Sequence, residues 1–258
     1  MRCRSGAPAV LLLVEYDGGA FYGYQRQREG PSVQSVLEEA WRGLTGGGVR
    51  LTASGRTDRG VHARGLLVLA RGERLNVPVE RLPEALSAHL PPEVAVRAAW
   101  PVPASFHPRR HVLGKRYRYR ILEGRVRSPW ERGRVWHLGR RLDLVAMRRA
   151  ARRLVGRHDF AAFASEAGSR RDTVRHVRSI RISRRGEVVE VEVEGDGFLY
   201  NMVRAMVGSL VEVGRGRFPP EWVGEVLRSR DRRRAGRTAP AEGLVLVEVL
   251  PLLERVRG

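Results

Sequence analysis

The chain has 258 residues, enough for one large or two modest domains with real cores, and its 42% apolar content excludes a disordered chain. A formal net charge of +20 points to a polyanionic partner, nucleic acid first. Lys115 is the lone lysine among 48 basic residues, and arginine suits planar, bidentate contact with phosphates and stacking on bases. One cysteine, Cys3, excludes an internal disulfide or a cysteine-rich zinc site and fits a reducing compartment. The apolar run from Ala9 to Val14 meets Glu15 and Asp17 at once. It is too short to span a membrane or to form a signal segment, so a cytoplasmic protein is expected.

In chain order, Val10 to Tyr16 reads as a buried strand, followed by Asp17-Gly18-Gly19 and an aromatic cluster of Phe21, Tyr22 and Tyr24. A helix starts after Ser32, its N-cap, and ends before Gly46. Val33, Val36, Leu37, Ala40, Trp41 and Leu44 fall on one helical face. Val49 to Thr52 and Leu66 to Ala70 read as strands flanking a loop that carries Asp58 between Arg56 and Arg59, with Gly55, Gly60 and Gly65. Two guanidinium groups favour the ionised carboxylate, and the glycines admit positive φ and a close ligand. The spacing alone fits an aspartate that caps a turn as well as one that does chemistry.

A second helix is expected from Val79 to His89, with Leu82, Ala85 and Leu86 inward, and then a strand from Val94 to Trp100. Pro101, Pro103 and Pro108 mark a stiff connector, which places a domain boundary between 104 and 105. The two halves, 1–104 and 105–258, both read as α+β. In the second, Lys115 to Ile121 alternates, with Tyr117, Tyr119 and Ile121 on one face and Arg116, Arg118 and Arg120 on the other. Leu142 to Val155 is an amphipathic helix. Val177 to Ser183 and Val188 to Glu194 form a hairpin around Arg185-Gly186, whose Glu190, Glu192 and Glu194 are expected to pair with Arg181 and its neighbours. Helices over 200–213 and 222–229 and a strand over 244–250 close the chain. The arginine-rich stretch from Ser229 to Thr238 is expected at the surface, where RNA could touch it.

The motifs run in order along almost the whole chain. Gly55-Arg56-Thr57-Asp58-Arg59-Gly60-Val61-His62-Ala63-Arg64-Gly65 resembles the signature of the tRNA pseudouridine synthase A family. Glu15-Tyr16-Asp17-Gly18, Tyr22 to Gln27, Ser32-Val33-Gln34, Ser105-Phe106-His107, Lys115 to Tyr119 and His158-Asp159-Phe160 are similar to further family segments. So are Gly197 to Arg204, Gly208-Ser209-Leu210 and Ala239 to Leu244. The resemblance implies a tRNA-binding isomerase that converts uridine to pseudouridine in the anticodon arm. Asp58 would be the catalytic carboxylate, Tyr117 the aromatic stacked on the target base, and Arg204 a charged partner of Asp58. Arg56 would serve phosphate and loop geometry; Arg59, Arg64, Arg109, Arg110 and Lys115 are candidate RNA contacts. The family further implies two similar lobes, a mostly antiparallel sheet with helices on one face and a basic cleft, a homodimer, and neither cofactor nor metal.

This chain departs from the family pattern in places. Arg59 stands where alanine is usual, Leu66 and Ala70 where a glutamine and an aromatic are usual, and Tyr24 where tryptophan is common. Ser87-Ala88-His89 replaces an asparagine-rich stretch. Charge and aromatics alone would equally suit a non-catalytic RNA-binding module. A phosphodiester-cleaving enzyme would need an acidic cluster or a histidine pair. His107 and His111 are the sole pair four apart, with Pro108 and two arginines between them, which suits neither a helical metal site nor a cation.

Overall fold

A computed structural model describes residues 9–72, 75–165 and 172–251; Cys3, on which the redox expectation rests, lies outside them. Among the described residues the fold is α+β, with five α-helices and ten strands, paired mostly antiparallel. Among the described residues, no helix is long and apolar enough to cross a membrane. The chain divides into two compact units, residues 1–113 with 246–258, and residues 114–245. The proline-rich connector therefore packs with the first unit. Arg71 holds it by donating to the carbonyls of Ala104 and Phe106, at 2.8 and 2.9 Å.

In the first unit, β1 (Ala9–Tyr16) pairs antiparallel with both β3 (His62–Gly72) and β4 (Val94–Val102), and β2 (Val49–Ala53) pairs with β3. Flanked on both edges, β1 is a continuous apolar run with Val10, Leu11, Leu12 and Val14 buried. Helix α1 (Val33–Thr45) begins in a reciprocal cap between Ser32 and Ser35 and ends at Gly46, which takes the left-handed conformation at φ 73°. It buries Val33, Leu37, Ala40 and Trp41. Helix α2 spans only Leu82–Ser87, after a 3-10 turn at Val79–Arg81. Pro83 near its start lacks an N–H, and the helix stops short of His89.

The second unit is built on β5 (Val112–Leu122), β9 (Val188–Gly195), β8 (Val174–Arg185) and β7 (Gly156–Asp159), antiparallel in that order. Strand β6 (Trp136–His137) lies parallel to the end of β5. Register sets Tyr117 opposite Val193, Tyr119 opposite Val191 and Ile121 opposite Val189, all six buried. The other face opposes arginines and glutamates. Arg116 reaches Glu194 at 3.2 Å and Arg118 reaches Glu192 at 2.8 Å, with Arg178 beside Glu194 at 3.8 Å. These pairs run chiefly across the β5–β9 ladder, where Arg116 and Arg118 stand opposite Glu194 and Glu192; Arg181 also stands opposite Glu192, and its neighbour Arg178 supplies the pair from β8.

Helix α3 (Leu144–Ala151) is capped by Asp143, whose carboxylate accepts from the N–H groups of Val145 and Ala146. Helix α4 (Met202–Gly214) is almost wholly buried, and α5 (Trp222–Ser229) follows it. A side chain at Gly208 would strike the carbonyl of Arg237, so a glycine lets the returning backbone cross α4 at contact distance. Strand β10 (Leu244–Pro251) then closes the chain.

One buried ion pair stands out in the second unit. Glu123, 5% exposed, accepts from Arg184 at 2.7 and 3.0 Å and from the Leu142 N–H at 2.7 Å. The hydrogen bond to Glu123 raises the Arg184 pKa against the opposing effect of burial. Glu123→Ala strips an acceptor from the partly exposed Arg184 guanidinium, which keeps the Leu142 carbonyl, and the acceptor of the Leu142 N–H, and is expected to lower the unfolding free energy by about 1–3 kcal/mol in urea denaturation. Glu123→Gln keeps an acceptor for Leu142 and should lose visibly less.

Candidate active site

Asp58 lies in the first unit, on the loop between β2 and β3. The Ser54 N–H donates to the Leu67 carbonyl at 2.8 Å, closing the neck of the loop. Its tip is a turn in which the Val61 N–H donates to the Asp58 carbonyl at 3.1 Å and Gly60 adopts φ 79°. Strand β3 already begins at His62, so the second half of the signature is strand rather than loop.

The segment after β1 straps this loop from beneath. The hydroxyls of Tyr16 and Thr57 are hydrogen bonded at 2.7 Å in a buried position, and the Tyr24 N–H donates to the Thr57 carbonyl at 3.1 Å. Gly23 stands at φ 104°, where a Cβ would lie 2.8 Å from the Thr57 carbonyl oxygen and 3.3 Å from the Asp58 carbonyl carbon. Gly18 passes closer still to the Val61 carbonyl, which a Cβ would strike. His62 Nδ1 lies 3.1 Å from the Gly18 nitrogen and 3.0 Å from Asp17 Oδ1. One nitrogen serves these two contacts as alternatives: its lone pair accepts from Gly18, or its proton goes to Asp17. The phenol of Tyr24 is buried; burial first, then Glu38, push its pKa up while Arg109 opposes, so it stays neutral.

Tyr117 and Arg204 belong to the second unit. The Tyr117 ring, 8% exposed, meets Phe198 edge to face with centroids 5.3 Å apart. Arg204, on the first turn of α4, is held by two acceptors at 2.7 Å, the side-chain oxygen of Asn201 and the carbonyl of Ala239. Asn201 is left-handed at φ 60° and donates in turn to Ser165 Oγ at 2.9 Å. It therefore serves Arg204 instead of capping the helix that it precedes. Residues 197–204 bring these parts together: Phe198 against Tyr117, and Asn201 against Arg204.

The basic candidates have different surroundings. Arg56 and Arg110 are exposed. Arg59 lies over the Tyr22 ring at 4.0 Å, a cation–π contact that anchors an otherwise exposed side chain. Arg64 reaches Glu15 at 3.7 Å, and Arg109 donates to the Ala53 carbonyl at 3.1 Å, tying the connector to the end of β2. Lys115 is half-buried on β5. The stretch from Ser229 to Thr238, expected at the surface, spends much of its charge locally. Arg232 donates to Gly236 and Thr238, Arg233 to Asp231, Arg230 pairs with Asp159, and Arg237 lies over Trp136. His107 and His111 serve the connector: the His107 N–H donates to His111 Nδ1, and the His111 ring packs on Phe106. Among the described residues, no cluster of three His, Cys, Asp or Glu could hold a metal ion.

The family model described as tRNA pseudouridine synthase matches residues 12–109 and 150–250, which include Asp58 and Arg204. The chain belongs to the tRNA pseudouridine synthase A family. The curated relative of that name from Syntrophotalea carbinolica is 50% identical over 240 residues, 93% of this chain and 95% of its own. Those from Myxococcus xanthus and Acetivibrio thermocellus are 46% and 43% identical, covering 94% and 93% of this chain and 91% and 98% of theirs. As a member of the tRNA pseudouridine synthase A family, the chain is an isomerase. Residue patterns reveal neither the Tyr16–Thr57 hydroxyl pair, 41 positions apart, nor the role of Asn201. The one signal for the latter was an asparagine at a helix start, which ordinarily means a cap.

Two glycines with positive φ separate the strap from ordinary backbone strain. Gly46, at φ 73°, has nothing within 4 Å of a built Cβ, whereas Gly23 faces the Thr57 carbonyl. Gly46→Ala is expected to cost about 1–2 kcal/mol of stability with full turnover. Gly23→Ala should cost more, and should lower kcat in tRNA isomerisation assays, because it displaces the backbone on either side of Asp58.

Proposed function

We propose that this chain isomerises uridine to pseudouridine in the anticodon arm of tRNA, with Asp58 as the catalytic carboxylate. The observation that carries this reading is the strapped loop itself. The full family signature presents one carboxylate on a turn whose backbone is fixed from below. The reaction breaks the N1–C1′ bond, turns the base and joins C5 to C1′; the hydrogen on C5 leaves as a proton and N1 takes one up. No electrons are gained or lost overall, so the chemistry needs no redox cofactor. A carboxylate can attack C1′, stabilise positive charge on the sugar or remove a sugar proton, and each role requires it ionised and close to C1′.

The target uridine must leave its stack, at a cost of a few kcal/mol. We assign Tyr117 as the stacking partner, which returns about 1–3 kcal/mol. Arg204, locked by Asn201 and Ala239, is the charged partner of Asp58 in this reading. Arg56, Arg59, Arg64, Arg109, Arg110 and Lys115 are assigned to the RNA backbone. The same reading extends to the architecture and setting: two similar lobes, helices on one face, a basic RNA-binding cleft, a homodimer and a cytoplasmic location.

Tritium release from tRNA labelled at uridine C5 tests the assignment. The wild type should release tritium with the RNA chain intact, and Asp58→Ala should fall by at least roughly 10²–10⁴-fold while binding tRNA with similar affinity. Binding without release by either protein would favour a non-catalytic RNA-binding module, and chain scission would favour phosphodiester cleavage.

A further inference from the structure

The segment from Gly236 to Pro240, in the second unit, lies on α4 and carries one of the two acceptors that clamp Arg204. Two glycines let it in. A Cβ on Gly208 would strike the Arg237 carbonyl, and one on Gly236 would lie 2.8 Å from the Ser209 Cα. Backbone packs directly on backbone, which leaves the segment little room to slide along the helix.

Polar contacts then set its register. The Ser209 hydroxyl, fully buried, accepts from the Gly236 N–H and donates to the Ala205 carbonyl, both at 2.9 Å. Arg232 donates to the Gly236 carbonyl at 2.9 Å and to Thr238 Oγ1 at 2.7 Å. The Tyr119 hydroxyl, on β5, donates to the Pro240 carbonyl at 2.7 Å. Ala239 sits between the last two anchors and is fully buried. It meets Arg204 twice. Its N–H donates to the Arg204 carbonyl at 3.1 Å, and its own carbonyl accepts from the guanidinium at 2.7 Å.

Arg232 belongs to the arginine-rich stretch whose charge points to RNA, but its surroundings point inward. Arg233 and Arg234 beside it are exposed, while Arg232 is partly buried and burial lowers its pKa. A planar guanidinium bonded to two acceptors has a fixed orientation. Here it bridges residues 236 and 238, and the second of these adjoins Ala239.

We propose that Arg232 is a positioning residue for the isomerisation: by bridging Gly236 and Thr238 it holds the Ala239 carbonyl in place, and with it the plane of the Arg204 guanidinium. The proposal rests on Arg204 as the charged partner of Asp58 in pseudouridine formation. Arg232 acts through Arg204 and not on the RNA, so its loss appears in the rate of the chemical step and leaves tRNA affinity and its salt dependence intact.

The test compares wild type, Arg232→Gln, Arg232→Lys and Thr238→Val in tRNA filter binding over a range of salt and in single-turnover tritium release. Thr238→Val removes one acceptor at nearly constant shape, and so keeps the test open should Arg232→Gln fold poorly. Arg232→Gln should slow the single turnover about 10- to 100-fold, the scale of a small misplacement of a reacting group. Arg232→Lys and Thr238→Val should lose less, and all four proteins should share one Kd and one salt slope. In an Arg204→Gln background, Arg232→Gln should cause no further loss. Weaker binding by Arg232→Gln, with a salt slope lower by roughly 0.7–0.9 and an unchanged rate, overturns the proposal, since Arg232 is then a phosphate contact. Losses that multiply with Arg204→Gln overturn it too, because they mark a general loosening of the fold. An Arg204→Gln protein as fast as wild type would instead overturn the role of Arg204, and a wild type that binds tRNA without releasing tritium would overturn the isomerase assignment. In both of those cases the Arg204 Nε–H signal in 15N NMR, identified by its loss in Arg204→Gln, judges the clamp. It should lose hydrogen-exchange protection in Arg232→Gln and Thr238→Val, and unchanged protection in both overturns the positioning role.

Discussion

The Thr57 carbonyl and hydroxyl are the points on which the Asp58 loop depends. A carboxylate on a free turn samples many positions, and the Asp58 loop is not such a turn. Here Tyr16, the last residue of β1, fixes the hydroxyl of the residue before Asp58, and Tyr24, from the segment that follows, fixes its carbonyl. That segment approaches only because Gly18 and Gly23 have no side chains to collide with the loop backbone. The opening segment of the family pattern and its signature are thus one structural unit, and the buried strand β1 carries the order of the core up to the Asp58 loop. Each hydrogen bond contributes only about 0.5–1.5 kcal/mol net, so their weight lies in position more than in stability.

Charge shows the same division of labour. A surplus of twenty positive charges attracts RNA from a distance, but it does not say which arginines touch it. Arg116 and Arg118 are matched to glutamates by strand register, and Arg230, Arg232 and Arg233 are occupied within their own unit. Exposed pairs of this kind add at most about 1 kcal/mol each. Their use is to fix side chains, and so the densest arginine run in the chain is partly scaffolding. Arg59 is the opposite case. It stands where the family usually has alanine, and the Tyr22 ring holds its guanidinium.

Elements governed by period are legible in the sequence. Helix α1 and both its caps, the alternation along β5, the β8–β9 hairpin around Gly186 and helix α5 all follow from side chains that repeat every 3.6 or 2 residues. Helix α2 is shorter than its apolar spacing suggests, because Pro83 and a 3-10 turn take up its start. What the spacing of residues does not disclose is contact between distant segments. The strap beneath Asp58, the two acceptors on Arg204 and the fate of the 229–238 arginines are all of that kind. The identity of Asp58 itself came through the resemblance of an ordered set of motifs, since a lone aspartate in a glycine loop reads equally well as a turn former.

Asn201 shows how local rules yield to a site. At the start of a helix an asparagine ordinarily accepts from backbone N–H groups and takes an extended conformation. Here it is left-handed, makes no cap, and gives its side-chain oxygen to Arg204 and its N–H to Ser165. Forgoing the cap costs on the order of 1 kcal/mol. Asparagine is among the few residues that tolerate this conformation without heavy strain. The exchange gives the Arg204 guanidinium a fixed plane, since two acceptors on different segments allow it little rotation. An arginine on a surface helix ordinarily roams several rotamers. One clamped at both edges is already oriented before any ligand arrives, which removes an entropic penalty from binding. The clamp on Arg204 resembles the one on Arg184, whose guanidinium Glu123 and the Leu142 carbonyl hold from two segments, but here it is obtained by giving up a helix cap.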